Sequence, residues 1–289
     1  MSTVQPYIYP EDYGTFKNGL GDDQPALAKA LAAVTLAPVT GSPVQAIMLT
    51  GTYYLGAPLI VTNAAMFNVV AGATFVPYNG YTGDCLIYQY NTNNTVTDIP
   101  TIIGFNNGAG LTVNGCSVMV ATGFMIKECK YAVKVVASQV HPILDNYINI
   151  HFMPSNQYGY FITGDATGGV IQGNEFVTNF FTNDNPNADS IAACYWDNCP
   201  NKDWNCNSIK FKAIDLNGAT NSHGFYNAST VYNNCYLYNW EIECSLWFGG
   251  IFSRNANTSA FIVGKYVGCT MRFCMQGQLD QMPWSCLLY

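Results

Sequence analysis

Short apolar segments separated by turn residues run through most of the chain. From about residue 44 onward, segments of four to six residues, such as 46–50 and 73–77, end at Gly or Asn turns. Inward and outward positions alternate within them, and they are rich in the β-branched and aromatic residues that fit a pleated sheet. The pattern predicts an all-β fold from about residue 44 onward.

One segment near the N-terminus follows a different period. The apolar residues spaced at i, i+3, i+4 and i+7 are Leu27, Ala30, Leu31 and Val34. This spacing marks one face of an α-helix. Asp23 precedes it as a candidate N-cap, and Pro25 falls in the first turn, where its missing N–H breaks no hydrogen bond. The sequence therefore predicts one helix over about residues 24–35.

Two architectures are compatible with short strands joined by tight turns. Asn-Gly pairs at 79–80, 114–115 and 217–218 are typical of β-hairpins and favour a sandwich. An internal repeat favours a solenoid instead. Copies of one degenerate pattern begin at Asn146, Asn174 and Asn234, with a weaker copy at Lys265.

The aromatic anchors of these copies support the solenoid. They are Tyr147, Phe176, Tyr236 and Tyr266, spaced by about one or two multiples of 29 or 30 residues. A single coil of that length cannot cover its own apolar face, whereas stacked coils bury a continuous column. The repeat therefore tips the prediction from a sandwich to a β-solenoid.

Four motifs in the first 80 residues carry a family resemblance. They are Asp12-Tyr13-Gly14, Gly21-Asp22-Asp23, the Ala-rich segment 26–34 and Thr50-Gly51-Thr52-Tyr53, followed by Ala-Pro-Leu-Ile-Val at 57–61. This block resembles the start of the pectate-lyase-like right-handed parallel β-helix family of phage tailspike, tail-fibre and appendage proteins. The Gly-Asp-Asp-Gln-Pro loop is shorter than the family's Gly-Asp-Gly-x-Thr-Asp-Asp pattern. These motifs mark a fold and carry no catalytic residue.

The resemblance implies a single-stranded right-handed parallel β-helix over residues 23–289, with the helix at about 24–35 capping its open N-terminal end. Residues 1–22 are then an N-terminal arm, of which residues 1–20 dock the chain onto other virion proteins. The resemblance also implies a homotrimer located on the virion, made in the host cytoplasm and released by lysis.

Composition narrows the classes of partner. Charged residues make up 10% of the chain and the formal net charge is −7, so few cations are available to neutralise nucleic-acid phosphates. No run of about 18 apolar residues is present, which argues against a membrane-spanning helix. The first residues lack the basic and apolar regions of a secretion signal. We therefore expect no nucleic-acid partner, no membrane insertion and no secretion signal.

Eleven cysteines allow two interpretations. They are small hydrophobic residues stacked in a core, or some of them form disulfides after the protein leaves the cell. The odd total leaves at least one thiol unpaired or shared between subunits. The two Cys-x4-Cys pairs and the three distant histidines do not match zinc-ligand spacing. No metal and no cofactor is predicted.

Glu241 and Glu243 are the candidate catalytic residues for glycan cleavage. On a strand, Trp240 and Ile242 face inward, so both carboxylates lie on the outer face with Cα atoms about 6.5 to 7 Å apart. That separation is compatible with an acid and a base on either side of a water. The alternative is two outward glutamates that are simply solvated, and the sequence leaves open whether the protein is an enzyme.

Trp196, Trp204 and Trp247 are the candidate glycan-binding residues. A flat apolar ring with a polar tip stacks well on a sugar, and the first two lie in the turn-rich segment 194–206. The alternative is that these aromatic residues fill the core and a seam between subunits.

The sequence as a whole predicts a virion structural protein that attaches to host-surface glycan or decorates the particle. The alternative is a polysaccharide depolymerase, a glycoside hydrolase or lyase, acting on capsule or O-antigen through Glu241 and Glu243. The lyase is the less favoured of the two, because Lys and Arg are sparse and a lyase must neutralise a sugar carboxylate. A third possibility is a purely architectural component of the particle.

Overall fold

The structure is a computed structural model that describes residues 7–34, 45–62, 65–91, 95–165, 168–182 and 191–197. From residue 202 it describes strand backbone over 202–215, 223–227, 235–238, 241–245, 252–254, 266–267 and 270–274, with the side chain of Lys210. Strands dominate these residues, beside one α-helix and one 3-10 helix. Within them, no helix is long and apolar enough to cross a membrane.

The helices are the 3-10 helix Pro10–Tyr13 and α1 Gln24–Ala32. The strands up to residue 137 are β1 Tyr7–Ile8, β2 Ala46–Leu49, β3 Thr52–Leu55, β4 Leu59–Val61, β5 Met66–Val69, β6 Thr74–Pro77, β7 Leu86–Gln89, β8 Thr95–Ile99, β9 Thr101–Ile103, β10 Ala109–Asn114, β11 Met119–Lys127 and β12 Tyr131–Ala137. The later strands are β13 Ile143–Leu144, β14 Tyr147–Pro154, β15 Tyr158–Gly164, β16 Gly169–Gln172, β17 Glu175–Thr178, β18 Phe180–Thr182, β19 Ala192–Trp196, β20 Lys202–Asp215, β21 His223–Asn227, β22 Cys235–Tyr238, β23 Glu241–Ser245, β24 Phe252–Arg254, β25 Tyr266–Val267 and β26 Thr270–Cys274.

Every ladder between these strands is parallel. A hairpin joins antiparallel neighbours, whereas parallel neighbours need a longer crossover. The sandwich of hairpins is therefore wrong for the described strands. The prediction of a mostly β chain with parallel sheets is confirmed.

The chain returns to the same sheet again and again. In an eight-stranded sheet the order is β4-β7-β10-β12-β15-β19-β21-β24, which is also the order along the chain. A three-stranded sheet has the order β1-β2-β5. A fifteen-stranded sheet follows β3-β6-β9-β11-β14-β17-β20-β16-β13, with β8, β18, β22, β23, β25 and β26 paired alongside. Each circuit of the chain, here called a coil, contributes one strand to the eight-stranded sheet, next to the strand of the coil before it.

Stacking in register produces interior columns. Through the first six strands of the eight-stranded sheet, β4 to β19, one column contains residues that are all 0% exposed, namely Leu59, Leu86, Leu111, Val133, Tyr160 and Cys194. The step between coils varies, since 22 residues separate Leu111 from Val133 and 34 separate Tyr160 from Cys194. The repeat expected from the sequence is therefore too regular, because the loops between strands differ in length.

The repeated asparagine marks a buried turn that stacks from coil to coil. Asn146 and Asn174 are 2% and 1% exposed. Asn174 Oδ1 accepts hydrogen bonds from the backbone N–H of Asn146 at 2.9 Å and from its Nδ2 at 2.8 Å. Asn146 Oδ1 accepts in turn from the N–H of Met119 at 2.9 Å. These side chains satisfy main-chain groups at a corner where the sheet ladder is interrupted.

The aromatic anchors of the repeat do not align in the same way. Tyr147 lies opposite Glu175, and Phe176 lies opposite Ile148. The alignment of the copies at Asn146 and Asn174 agrees with this register, whereas the two aromatic anchors occupy positions that differ by one. Since side chains alternate along a strand, this single step separates a half-buried tyrosine from a fully buried phenylalanine.

Helix α1 lies within the segment where the sequence predicts it and ends at Ala32, before the predicted residue 35. The residues of its predicted apolar face are all buried: Leu27, Ala30, Leu31 and Val34. Asp23 stands at the N-cap position, but its side chain makes no capping hydrogen bond. Its buried carboxylate accepts instead from the backbone N–H groups of Phe16, Lys17 and Tyr54. The expected N-cap role is therefore wrong, because donors outside the helix occupy these oxygens.

Residues 7–22 lie against the first coils. Strand β1 pairs with β2, with Tyr7 opposite Ala46. Glu11 Oε1 accepts a hydrogen bond from the Tyr53 hydroxyl at 3.1 Å and pairs with Lys17 Nζ. From Tyr7 onward, the segment expected to be an arm is therefore bound to the first strands of the chain, while its boundary at residue 22 and its docking role stay predictions.

The four cysteines whose side chains are described are Cys85, Cys116, Cys129 and Cys194. All four are buried and carry free thiols, as the core interpretation predicts. Burial raises the pKa of the Cys116 thiol to about 11 and that of Cys129 to about 12. The described side chains form no disulfide, and the other seven cysteines lie outside them. The predicted disulfides thus find no support in this part of the chain.

Candidate functional site

An open groove of about 540 Å³ lies where the turn after β5 meets β8 and β11. Small, polar and aromatic residues line it: Val69, Ala71, Gly72, Ala73, Asp98, Ile99, Thr101, Thr122, Gly123, Phe124 and His151. Ligand pockets typically combine an apolar surface with a few well-placed polar groups. The groove is therefore the candidate functional site among the described residues.

A break in the main-chain stacking creates the groove. Among the described strands, β5 pairs only with β2 and β8 pairs only with β11, so no ladder joins β5 to β8. Side chains bridge the two strands instead. The N–H of Phe67 donates to Thr97 Oγ1 at 3.0 Å, and the N–H of Val69 donates to Asp98 Oδ2 at 3.3 Å. Because a side chain stands between the strands, the surface opens at this point.

Asp98 supplies the carboxylate of the groove. Its strand neighbours Thr97 and Ile99 are both 2% exposed, so strand alternation turns Asp98 to the outer face. Asp98 Oδ1 accepts a hydrogen bond at 3.4 Å from the hydroxyl of Thr122, its register partner on β11. A carboxylate has about four acceptor positions. With Val69 N–H on the other oxygen, Asp98 keeps capacity to accept hydrogen bonds from a ligand.

Phe124 supplies the aromatic surface. It follows Thr122 by two residues on β11, and 62% of its surface is exposed. Its ring meets that of Phe152 edge to face, with centroids 5.2 Å apart, and Phe152 is followed by Phe180 at 6.5 Å. Phe124 is therefore the exposed end of a short aromatic row, and it is the member of that row that lines the groove.

His151 adds a second polar group on β14. Its Nδ1 lies 2.9 Å from Asn179 Nδ2, and the backbone N–H of Asn179 donates to the His151 carbonyl oxygen at 3.0 Å. When the Asn179 amide donates, Nδ1 is the acceptor and Nε2 carries the ring proton. The exposed imidazole then offers the groove a hydrogen-bond donor in addition to the acceptor oxygens of Asp98.

A second aromatic cluster lies on the outer face of the eight-stranded sheet. It is formed by Tyr131, Tyr158, Phe161 and Tyr195. The rings of Phe161 and Tyr195 stack at 5.2 Å with planes 8° apart, and Lys130 and Lys134 lie over the ring of Tyr131. Burial, with smaller contributions from Tyr195 and Tyr131, raises the pKa of Tyr158 to about 12. Because these ring faces already cover one another, the cluster stabilises the sheet and leaves little open face for a sugar.

Trp196 does not occupy the position expected of a glycan-binding residue. It is 2% exposed and belongs to the hydrophobic core. Its neighbour Tyr195 is the residue that faces outward, since strand alternation separates the two. Trp196 is therefore corrected to a core residue, which is the alternative interpretation of the tryptophans.

The other expected site residues lie beyond the described side chains. Trp204 is on β20 in register with Ile171, and Trp247 is outside the described residues. Glu241 and Glu243 are on β23, where the register places them opposite Lys210 and Arg272. Their roles in binding and catalysis stay predictions.

Sequence reasoning did not find Asp98, Phe124 or His151 as site residues. Register brings Asp98 beside Thr122, 24 residues further along the chain, and His151 comes from the next coil. No local motif marks any of the three. The one feature of the sequence that could have indicated the site is Phe124, a large apolar residue at an outward position of β11. Its outward direction can be recognised only when the register of the strand is known.

No protein-family model and no curated protein sequence matches the chain. Among solved structures it is similar to ORF18 of Geobacillus virus E2, with 16% identity, a TM-score of 0.37, and 93% of this chain and 61% of that chain covered. It is also similar to PfbA, a surface adhesin of Streptococcus pneumoniae, with 10% identity, a TM-score of 0.25 and coverage of 94% and 92%. For a Family 28 exopolygalacturonase of Yersinia enterocolitica, identity is 9%, the TM-score 0.28 and coverage 96% and 80%. The chain spans about three fifths of the length of ORF18, and TM-scores this low support no argument about function.

Proposed function

We propose that the chain is a virion structural protein that attaches to host-surface glycan, and that the groove holds the glycan. The observation that carries this proposal is the accessible ring of Phe124 in one groove with Asp98 and Thr122. A pyranose has an apolar C–H face that packs on an aromatic ring and a rim of hydroxyls that donate and accept hydrogen bonds. The groove offers both kinds of contact within one site.

The architecture proposed for the whole chain is one right-handed parallel β-helix with α1 over its N-terminal end. The support is physical. A crossover between parallel strands of one sheet is right-handed in about 98% of cases, and the apolar face of α1 is buried beside the first coils. The homotrimer, the docking of residues 1–20 onto other virion proteins and the location on the virion belong to this proposal. Light scattering that gives the mass of a monomer would contradict the homotrimer.

Attachment is favoured over cleavage at the groove. Among the described residues that line it, Asp98 is the only carboxylate. Glycoside hydrolysis ordinarily uses two carboxyl groups about 5 to 9.5 Å apart. The groove is therefore suited to holding a glycan rather than to breaking its glycosidic bond.

The depolymerase remains the second candidate function, through Glu241 and Glu243. Its support is the placement of both residues on β23, two positions apart and hence on one face of the strand. Incubation with host capsule or O-antigen, followed by assay of reducing ends and unsaturated sugars, distinguishes the two functions. Release that is abolished in Glu241→Gln or Glu243→Gln favours the depolymerase, and release retained in both variants overturns this choice of residues.

The attachment proposal is tested by Phe124→Ala, with binding to host-surface polysaccharide measured by affinity electrophoresis. Loss of the ring contact weakens binding about 3- to 10-fold. Phe16→Ala is a matched control, because Phe16 is 55% exposed and does not line the groove. Equal binding by the folded Phe124→Ala variant and the unchanged protein would overturn the proposal.

A further inference from the structure

The described lining of the groove carries one formal charge, and it is negative. Asp98 is the only charged residue among its described lining residues, beside the imidazole of His151. The described lysines lie elsewhere and most are engaged with other groups. Lys127 pairs with Glu128 at 3.3 Å, and Lys210 pairs with Glu175. No described guanidinium or ammonium group lines the groove to receive an anionic ligand.

The position of the Asp98 carboxylate determines which ligand charge the groove can accommodate. Asp98 lies on the outer face of β8, with one described hydrogen bond to each of its oxygens. A glycan hydroxyl can donate to either oxygen, whereas a second carboxylate can only accept and meets a like charge. Like charges held about 4 to 6 Å apart repel appreciably even where solvent screens them.

We infer that the groove selects neutral glycans and disfavours acidic ones such as uronate polymers. This inference rests on the proposed function and names its ligand class. The sugar's apolar face packs on Phe124 while its hydroxyls donate to Asp98 and accept from His151. A uronate at the same place brings its carboxylate toward that of Asp98, and the groove supplies no described cation in compensation.

The test uses an immobilised panel of neutral and acidic bacterial polysaccharides, together with a matched pair of oligosaccharides. β-1,4-Mannan and β-1,4-mannuronan differ only in the oxidation of C6, so they isolate the effect of the charge. At low salt and about pH 8, we expect neutral glycans to bind roughly tenfold or more tightly than their acidic counterparts. Added salt narrows the difference by screening.

Asp98→Asn identifies the group responsible. The substitution removes the charge and keeps an acceptor oxygen. We therefore expect the ratio of the affinity for neutral glycans to that for acidic glycans to fall toward one. Asp84→Asn is the matched control. The Asp84 carboxylate also accepts one backbone N–H, from Ala109, and one threonine hydroxyl, from Thr112, but it does not line the groove.

The outcomes separate this inference from the proposed function. Equal or tighter binding of the acidic glycans, or an unchanged preference in Asp98→Asn, overturns the inference and leaves attachment to glycan intact. Failure of the folded protein to bind any member of the panel overturns both.

Discussion

The Asp23 carboxylate accepts a hydrogen bond from the backbone N–H of Tyr54 at 2.8 Å, although the two residues are 31 positions apart in the chain. The same carboxylate accepts the N–H groups of Phe16 and Lys17. One buried side chain therefore joins the N-terminal segment, the start of α1 and the Gly-Thr-Tyr turn. This contact gives a physical reason for the Gly-Asp-Asp and Gly-Thr-Tyr motifs to occur together.

Replacement of Asp23 by Asn tests this junction. The amide has one acceptor oxygen and turns an NH₂ donor toward backbone donors, so we expect the free energy of unfolding to fall by about 1 to 3 kcal/mol. Urea unfolding followed by circular dichroism measures the loss. Asp12→Asn, at an exposed position of the 3-10 helix, should stay within about 0.5 kcal/mol of the unchanged protein. Equal stability of the two variants would contradict the role assigned to Asp23.

The asparagine stack is tested by Asn174→Ala. The change removes the oxygen that accepts both the N–H and the Nδ2 of Asn146, and it removes the amide that donates to the carbonyl oxygen of Ile143 at 3.1 Å. Because these groups are buried, we expect a loss of about 2 to 4 kcal/mol in the free energy of unfolding. Asn106→Ala, on an exposed loop, is the control. A loss no larger than that of the control would show that the stack does not stabilise the coils.

Alkaline pH should destabilise the protein through its buried thiols. Burial raises the pKa of Cys116 to about 11 and that of Cys129 to about 12, from an ordinary value of 9.0. Between these values the unfolded thiols ionise while the folded ones keep their protons, so the unfolded chain binds fewer protons and the free energy of unfolding falls. The stabilising contribution is complete below about pH 9 and is lost as the pH rises through 11 and 12.

The measurement is the urea midpoint as a function of pH from about 8 to 11. In Cys129→Ala, the urea midpoint should decline less steeply with pH than in the unchanged protein. The variant can still be less stable at every pH, because the substitution leaves a cavity. A decline of the same slope in the variant and in the unchanged protein would show that the Cys129 thiol does not contribute to it.

Truncation separates the two parts of the N-terminal segment. Removal of residues 1–22 deletes β1, the partner of β2, and takes away Glu11 and the donors Phe16 and Lys17. It exposes a strand edge and leaves the Asp23 carboxylate with fewer donors, so we expect a lower unfolding midpoint and aggregation. Removal of residues 1–6 keeps all of these contacts. Equal thermal stability of the two truncated proteins would contradict a structural role for residues 7–22.

Much of the fold follows from local sequence, whereas the site does not. Alternating apolar positions predict strands such as β2 and β3, and the spacing from Leu27 to Val34 predicts α1, because both patterns act within a few residues. The partner of each strand depends on register, and the repeat's aromatic anchors Tyr147 and Phe176 occupy positions that differ by one. The same sensitivity explains Trp196, which points inward while Tyr195 points outward.

The groove has no local signal for a related reason. Asp98 and Thr122 come from successive coils. Between β5 and β8, side-chain hydrogen bonds take the place of a β-ladder. The alternating sequence pattern of the two strands is compatible with either arrangement. Only the stacked coils bring these residues together. The sequence therefore indicates that aromatic residues are available on the surface, whereas the position of the groove depends on the register of the strands.

The most direct test of the groove as a glycan-binding site is the structure of the protein bound to an oligosaccharide from its host's surface. We predict a sugar ring packed on Phe124, with a hydroxyl within hydrogen-bond distance of the Asp98 carboxylate. An oligosaccharide bound beside Glu241 and Glu243, with the groove empty, would contradict it.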